Sequence, residues 1–285
     1  MANFNKIINL TFQTANGEAF TITTPQKGIK PQIEISGNLT MEGYTHNFEV
    51  RITNFFTDSI EGDITDIEVV AGYEGNLSAG IYGAVQNVYT ESPGPDKVTV
   101  LSCISANYDA WIKNTIDLKL KENFSLQEAI SKITSALGFD PAIIDTSIAS
   151  KVCAAPLAHN GRCSEAISKI KTMFPGVTII TDGKKLRVFP TEAKSANMVV
   201  HNLSLLTQAP QFTGGSVSLV APWQPMIKPG DYVTFPTTFN KASLGSIIFD
   251  TAMVNSIQFH FATNTDANEM ILSGTPASKL LSEVK

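Results

Sequence analysis

The spacing of apolar residues changes period twice along this chain, and that double change limits the fold more than any other feature. Up to about residue 105 the spacing is two. Ile8, Leu10 and Phe12 alternate with polar neighbours, and Phe20 and Ile22 resume the alternation after Asn16-Gly17. An Asn-Gly pair between two alternating runs predicts a β-hairpin whose two central residues take positive φ. Further strands are expected over 32–39, 47–52, 64–73, 81–89 and 97–104. The last two are joined by Ser92-Pro93-Gly94-Pro95-Asp96, a turn cluster. Short strands divided by turns point to a small barrel or sandwich.

The period then becomes helical. Residues 109–120 are ambiguous, but Leu126, Ile130, Ile133 and Leu137 share one face of a helix. Ser125 and Glu128 have the spacing of a capping box, and Gly138 suits a left-handed stop. A second helix is expected over 163–174, with Ala166, Ile167, Ile170 and Phe174 inward and Pro175-Gly176 ending it. Glu-Ala-Ile-Ser-Lys-Ile occurs at 128–133 and again at 165–170. The flanks do not match, so this reads as two similar amphipathic helices and not as a repeat. Runs 177–181 and 185–189 around Asp182-Gly183 predict a second hairpin.

From Val199 the period returns to two. Val217 and Leu219 alternate, Pro229-Gly230-Asp231 leads into Tyr232 and Val233, and strands are expected over 247–250, 254–261 and 268–274. The fold class is therefore mainly β with an α+β insert. The expected domains are a first β-barrel at 1–106, a middle α+β domain at 107–198, a second β-barrel at 199–276 and a short mobile tail at 277–285. The outer parts also resemble each other. Asp66 to Val69, Ile81 to Val85, Val88-Tyr89 and Val98 to Val100 run in the same order as Asp231 to Val233, Ile247 to Phe249, Val254 with Ile257 to Phe259, and Met270 to Leu272.

Composition excludes several functions. Charged residues are 16% of the chain and the net charge is −5. The longest basic stretch is Lys184, Lys185 and Arg187, too little to neutralise a phosphate backbone, so sequence-specific nucleic-acid binding is not expected. No run approaches about 18 apolar residues, so no membrane insertion is expected. The first twenty residues lack the pattern of a signal peptide, which implies a start in a cytoplasm. Three cysteines, Cys103, Cys153 and Cys163, are too few for a disulfide framework.

No catalytic, cofactor-binding or metal-binding residue is assigned. His46, His159, His201 and His260 are scattered, and each reads as a surface or rim residue. Cys153, His159 and Cys163 have the spacing C-x5-H-x3-C, without the close pairs and fourth ligand of structural zinc. Cys153 and Cys163 read as two thiols, with a disulfide between them as the alternative. Glu61, Asp63 and Asp66 read as a solvated turn, although paired carboxylates can also serve a glycosidase. The phosphate-loop, dinucleotide, zincin and serine-hydrolase motifs are absent. Gly214-Gly215 reads as a turn or bulge, and Trp223 between Pro222 and Pro225 as packing over a barrel mouth.

Ala71-Gly72-Tyr73, Ile81-Tyr82-Gly83 and a strand ending at Cys103 before the insert resemble the first barrel of tail hub proteins. That family includes contractile-phage baseplate hubs, the late control protein D group and the amino-terminal hub of VgrG spike proteins. Pro229-Gly230-Asp231-x-Val233 looks like the opening of their second barrel, and the helix with the hairpin around Asp182-Gly183 and Leu186-Arg187-Val188 is similar to their middle domain.

The resemblance implies two barrels of tail-tube type and a homotrimeric hub without enzymatic activity. Three copies would offer six near-equivalent barrels, matching a sixfold tail tube on one side and a threefold central spike on the other. It implies tail tube, spike, other baseplate and tape-measure proteins as partners. The place would be a virion or phage-tail-like particle, bacteriocin-like ones included, assembled in the bacterial host cytoplasm. Relatives with lysozyme-like or peptidase-like domains are longer, so wall cleavage would lie on another chain. Two other readings stay open: another tail component such as a distal tail or tube protein, or a cell-wall hydrolase or glycan-binding module.

Overall fold

In a computed structural model, residues 5–24, 31–41, 46–54, 64–78, 80–92, 94–182, 184–191, 199–213, 215–236, 250–265 and 268–277 are described. The expected strand at 247–249, the tail beyond Ala277, Glu61, Asp63, Gly183 and Gly214 lie outside them. The chain forms two compact units. One comprises 1–40, 45–106 and 200–278; the other 41–44, 107–199 and 279–285.

The first unit opens with β1 (Lys6–Thr14), β2 (Ala19–Thr24), β3 (Ile33–Thr40), β4 (Asn47–Thr53), β5 (Ile64–Tyr73), β6 (Asn76–Leu77), β7 (Ile81–Glu91) and β8 (Val98–Ser105). The second unit supplies α1 (Tyr108–Lys113), β9 (Thr115–Leu120), β10 (Phe124–Ser125), α2 (Leu126–Leu137), β11 (Ile143–Ile144), α3 (Thr146–Ala149), β12 (Val152–Cys153), β13 (Leu157–Arg162), α4 (Cys163–Met173), β14 (Val177–Asp182) and β15 (Lys185–Pro190). The chain then returns to the first unit with β16 (Val200–Asn202), β17 (Gln211–Thr213), β18 (Ser216–Pro222), β19 (Tyr232–Thr234), β20 (Thr251–Ala262) and β21 (Glu269–Pro276).

The β1–β2 hairpin forms where Asn16-Gly17 marks it, but with a different turn. Only Gly17 takes positive φ, at 86°. The Gly17 N–H donates to the Thr14 carbonyl and the Thr14 N–H to the Glu18 carbonyl, at 2.9 and 3.0 Å. Ala15 lengthens the loop to three residues, so the chain closes with one left-handed glycine in place of a two-residue mirror-image turn.

Both β segments enter one sheet. Its path runs β17-β18-β21-β20-β3-β4-β8-β7-β5-β1-β2, with β6, β16 and β19 attached. The sheet curls. Tyr73 on β5 meets Phe261 on β20 edge to face at 5.6 Å, although four strands separate them along the path. Lys6 on β1 donates to the Ala262 carbonyl at 3.3 Å. Alternate residues of almost every strand fill one core, including Ile8, Leu10, Phe12, Ile35, Val50, Leu219, Phe261 and Leu272. Each such side chain contributes about 1.5–3 kcal/mol when fully buried. Trp223 belongs to this core, stacked on Phe259 at 6.0 Å and tilted on Phe261 at 4.4 Å.

One strand order occurs twice along the path. In the first half β3, β4, β8, β7 and β5 are successive neighbours; in the second half β17, β18, β21, β20 and β19 are. The β7–β8 ladder shifts register between Val85 and Asn87, and the β20–β21 ladder between Val254 and Ser256. A single offset maps one bulge onto the other. Ser102 lies opposite Asn87 as Ser273 lies opposite Ser256, and the next strand places Glu49 opposite Ser102 as Ser218 opposite Ser273. This alignment sets Val88 against Ile257, and it matches Ile81 to Val85 with 250–254, a little beyond the segment that the residue pattern suggests.

The second unit has its own core. Ser125 Oγ accepts the Glu128 N–H at 3.1 Å, and Gly138 stops α2 at φ 70°. Ile130, Ile133 and Leu137 on α2 share the core with Ala166, Ile167 and Ile170 on α4, and with Leu118, Leu157, Ile179 and Val188 from the strands. The ambiguous stretch divides into α1 and β9. Residues 157–162 carry too few apolar positions to be recognised as a strand, yet they pair with β9 throughout as β13.

Phe48 locks the first half of the sheet. A Cβ on Gly83 would lie 2.5 Å from Phe48 Cζ and 3.0 Å from Cys103 Cβ, and a Cβ on Gly37 2.5 Å from Phe48 Cβ. The ring lies over two glycines whose missing side chains make its place. Gly83→Ala is expected to destabilise the chain by about 1–3 kcal/mol through overpacking. A denaturant midpoint measures this, and Phe48→Leu in the same chain should recover part of the loss.

Candidate assembly interface

The residues singled out for chemistry are dispersed, and their roles are local. His46 Nε2 meets the Thr40 carbonyl at 2.8 Å. His260 lies across from Glu34 on the neighbouring strand, Nε2 to Oε1 2.9 Å, both about two-fifths exposed. Asp66 lies on β5 beside Ala84. His159 is buried, at 6% exposure, and not at the surface as its polar neighbours suggest. The alternation of β13 turns it inward with Leu157, and Nε2 meets the Arg162 carbonyl at 3.0 Å. Cys163 is buried at the start of α4, Cys153 is half-buried on β12, and both are free thiols, as is the buried Cys103. Among the described residues no three His, Cys, Asp or Glu side chains gather as a metal site.

Asp231 is the one strongly buried carboxylate of the Pro229-Gly230-Asp231 step, with a side chain 4% exposed. Its Oδ2 accepts the Lys228 N–H at 3.0 Å and meets His201 Nε2 at 3.1 Å. Backbone bonds from Gly230 to the Val254 carbonyl and from Val254 to the Asp231 carbonyl, 2.7 and 2.8 Å, tie the turn to β20. The Asp231 side chain therefore shapes the turn that aims β19 at β20. Asp231→Ala leaves a buried N–H without its acceptor and is expected to cost about 1–3 kcal/mol by chemical denaturation, with Asp231→Asn costing less.

Burial pushes the Cys103 thiol up to about 12, with the Glu49 carboxylate adding to the effect, and burial raises Cys163 as well. Both thiols therefore stay protonated at pH 8, and the thiolate is the reactive form. A chromogenic disulfide reagent at pH 8 should titrate one thiol, Cys153, in the native chain and three after unfolding.

What the geometry does offer is strand edges. β20 has two different neighbours on one side. Its start, Thr251–Met253, pairs with β19, and after the bulge residues 256–262 pair with β3 of the first half. The junction places Ile257 opposite Leu39, Phe259 opposite Gly37 and Phe261 opposite Ile35. It is an antiparallel ladder between the two halves of the sheet, and its apolar side chains enter the common core. Beyond Ala84, β7 is joined to β8 alone among the described strands, and β17 is joined to β18 alone. The sheet edges carry no cofactor-like pocket. Residue pattern alone missed them, because a strand's partners are not written in its alternation.

Comparison with solved structures agrees with this sheet. The 43 kDa tail protein of prophage MuSo2 from Shewanella oneidensis superposes with a TM-score of 0.63 at 10% identity, over 96% of this chain and 99% of that one. The chain has the fold of phage tail proteins. A tail protein from Neisseria meningitidis MC58 gives 0.58 at 10% identity, over 94% and 96%. The E. coli protein c3393, a type VI secretion component with structural similarity to bacteriophage T4 tail proteins gp27 and gp5, gives 0.51 at 9% identity, over 89% and 76%. No family model matches the chain, and no curated protein matches it by sequence. The likeness therefore lies in the fold, as the tail-hub resemblance of the short motifs implies.

Proposed function

We propose that this chain is a non-enzymatic structural subunit of a tail or baseplate hub. Each copy contributes two small β-barrels of tail-tube type, one from each half of the sheet, with the α+β unit inserted between them in sequence. Three copies form a ring of six near-equivalent barrels that joins a sixfold tube to a threefold spike and lines the channel. The domain division at 1–106, 107–198 and 199–276 belongs to this reading. The partners are tail tube, spike, other baseplate and tape-measure proteins, in a virion or tail-like particle assembled in the bacterial host cytoplasm.

The observation that carries the reading is the repetition of one strand order within a single chain, bulge for bulge. Two like modules per chain are what a threefold assembly needs to present six similar surfaces. The fold likeness to tail proteins and to a secretion component supports the same role. Low charge and an excess of acidic residues suit a channel wall that releases a passing polyanion.

Native mass spectrometry with symmetry analysis of particle images tests this reading. The expected particle has three times the 30.7 kDa chain mass, with six similar lobes around a threefold axis. A hexamer favours a tube or distal tail protein, and a monomer with a working cleft overturns the hub. The purified chain should also leave peptidoglycan uncleared in a zymogram.

A further inference from the structure

The junction inside one chain supplies a template for a junction between chains. Within the chain, the segment of β20 after its bulge pairs with β3, the first strand of the other half. Mapping the halves onto each other places the corresponding segment on β7 after its own bulge, residues 87–91. The strand that corresponds to β3 is β17. Phe212 lies opposite Val217 as Gly37 lies opposite Phe48, and Val217 and Phe48 are themselves matched through Gly274 and Cys103. These two segments are the ones that lack the counterpart of the β20–β3 ladder among the described strands.

We propose that residues 87–91 of β7 pair antiparallel with β17 of a second copy of this chain. The register follows from the template. Gln258 opposite Asn38, Phe259 opposite Gly37 and His260 opposite Ser36 become Tyr89 opposite Thr213, Thr90 opposite Phe212 and Glu91 opposite Gln211 of the neighbour. The facing is consistent. Val88 and Phe212 both pack toward the core side, where Ile257 lies in the template, and Gln211 and Thr213 point to the exposed side with Tyr89 and Glu91. Charge is compatible too. Glu91 is already held by Arg51 on its own sheet, and β17 is uncharged, so no like charges meet.

One chain offers two unlike edges, so copies join head to tail. Such a contact closes into a ring when the rotation permits, and otherwise grows without limit. In a threefold ring, junctions within and between chains would alternate as equivalents. It would also cover strand edges otherwise open to wrong pairing. This inference rests on the ring reading above and names the strands that would build it.

Cysteine cross-linking of the full chain tests the register. Directly opposed residues have Cβ atoms about 4.5–5.5 Å apart, close enough for a disulfide after a small adjustment. In a Cys153→Ser background, Tyr89→Cys together with Thr213→Cys is oxidised and run on a non-reducing gel. The expected result is a ladder of covalent dimer and trimer, absent from either single cysteine variant. Gln258→Cys with Asn38→Cys serves as the template control and should give an intrachain disulfide with no ladder. A trimeric native mass with the control bond formed and no ladder overturns this junction and leaves the hub reading standing. A monomeric native mass with no ladder overturns the ring, and the junction with it.

Discussion

The ladder between β20 and β3 holds the first unit together. It joins residues 256–262 to residues 34–40, so the chain returns after more than two hundred residues to complete a sheet that it began near its start. Closing so long a loop costs little more than closing a short one, since a tenfold longer loop adds about 2 kcal/mol. The gain is direct. Ile35 and Phe261 are fully buried opposite each other, and Phe259 extends the same face toward Trp223. Without this ladder each half would keep a raw edge and an open flank of its core. The insert can therefore occupy the middle of the sequence without interrupting the sheet.

The same ladder gives the repetition its meaning. Strand order alone is a loose criterion, because antiparallel sheets have few orders to choose from. Register is stricter. The bulges at Val85/Asn87 and Val254/Ser256 fall at matching places in the two long strands, and the pairings across three further strands stay in step with them. A bulge twists and bends its strand locally. Both long strands thus turn at equivalent points, each releasing its far segment from the strand that flanks its start. In β20 that segment meets β3. The functional reading and the proposed junction both derive from this correspondence.

The second unit contributes a compact body with a core of its own. Its most reactive-looking residues serve packing. His159 is turned inward by strand alternation, Cys163 begins α4 beneath buried neighbours, and the Phe124–Phe174 contact at 5.7 Å ties the start of α2 to the end of α4. The C-x5-H-x3-C spacing is the trace of a strand running into a helix, with each element burying its own apolar side.

Much of the first-level structure was legible in the residues. Ser125, Glu128 and Gly138 mark both ends of α2, and strict alternation marks β1, β5 and β8, because caps and periodicity act over a few residues. The turn at Asn16-Gly17 was legible in place but not in type, since loop length overrides the preference of the pair. β13 was not legible, because its pairing with β9 supplies a stability that its own polar residues do not. The sequence by itself determined mainly β structure around a helical insert, the absence of a familiar catalytic motif, and a hint that the outer parts are alike. Only the tertiary structure decided that the two β parts share one sheet, which edges meet, and in what register. The reason is that backbone hydrogen bonds between strands are the same for every residue, so partner and register are chosen by distant side chains meeting in a common core.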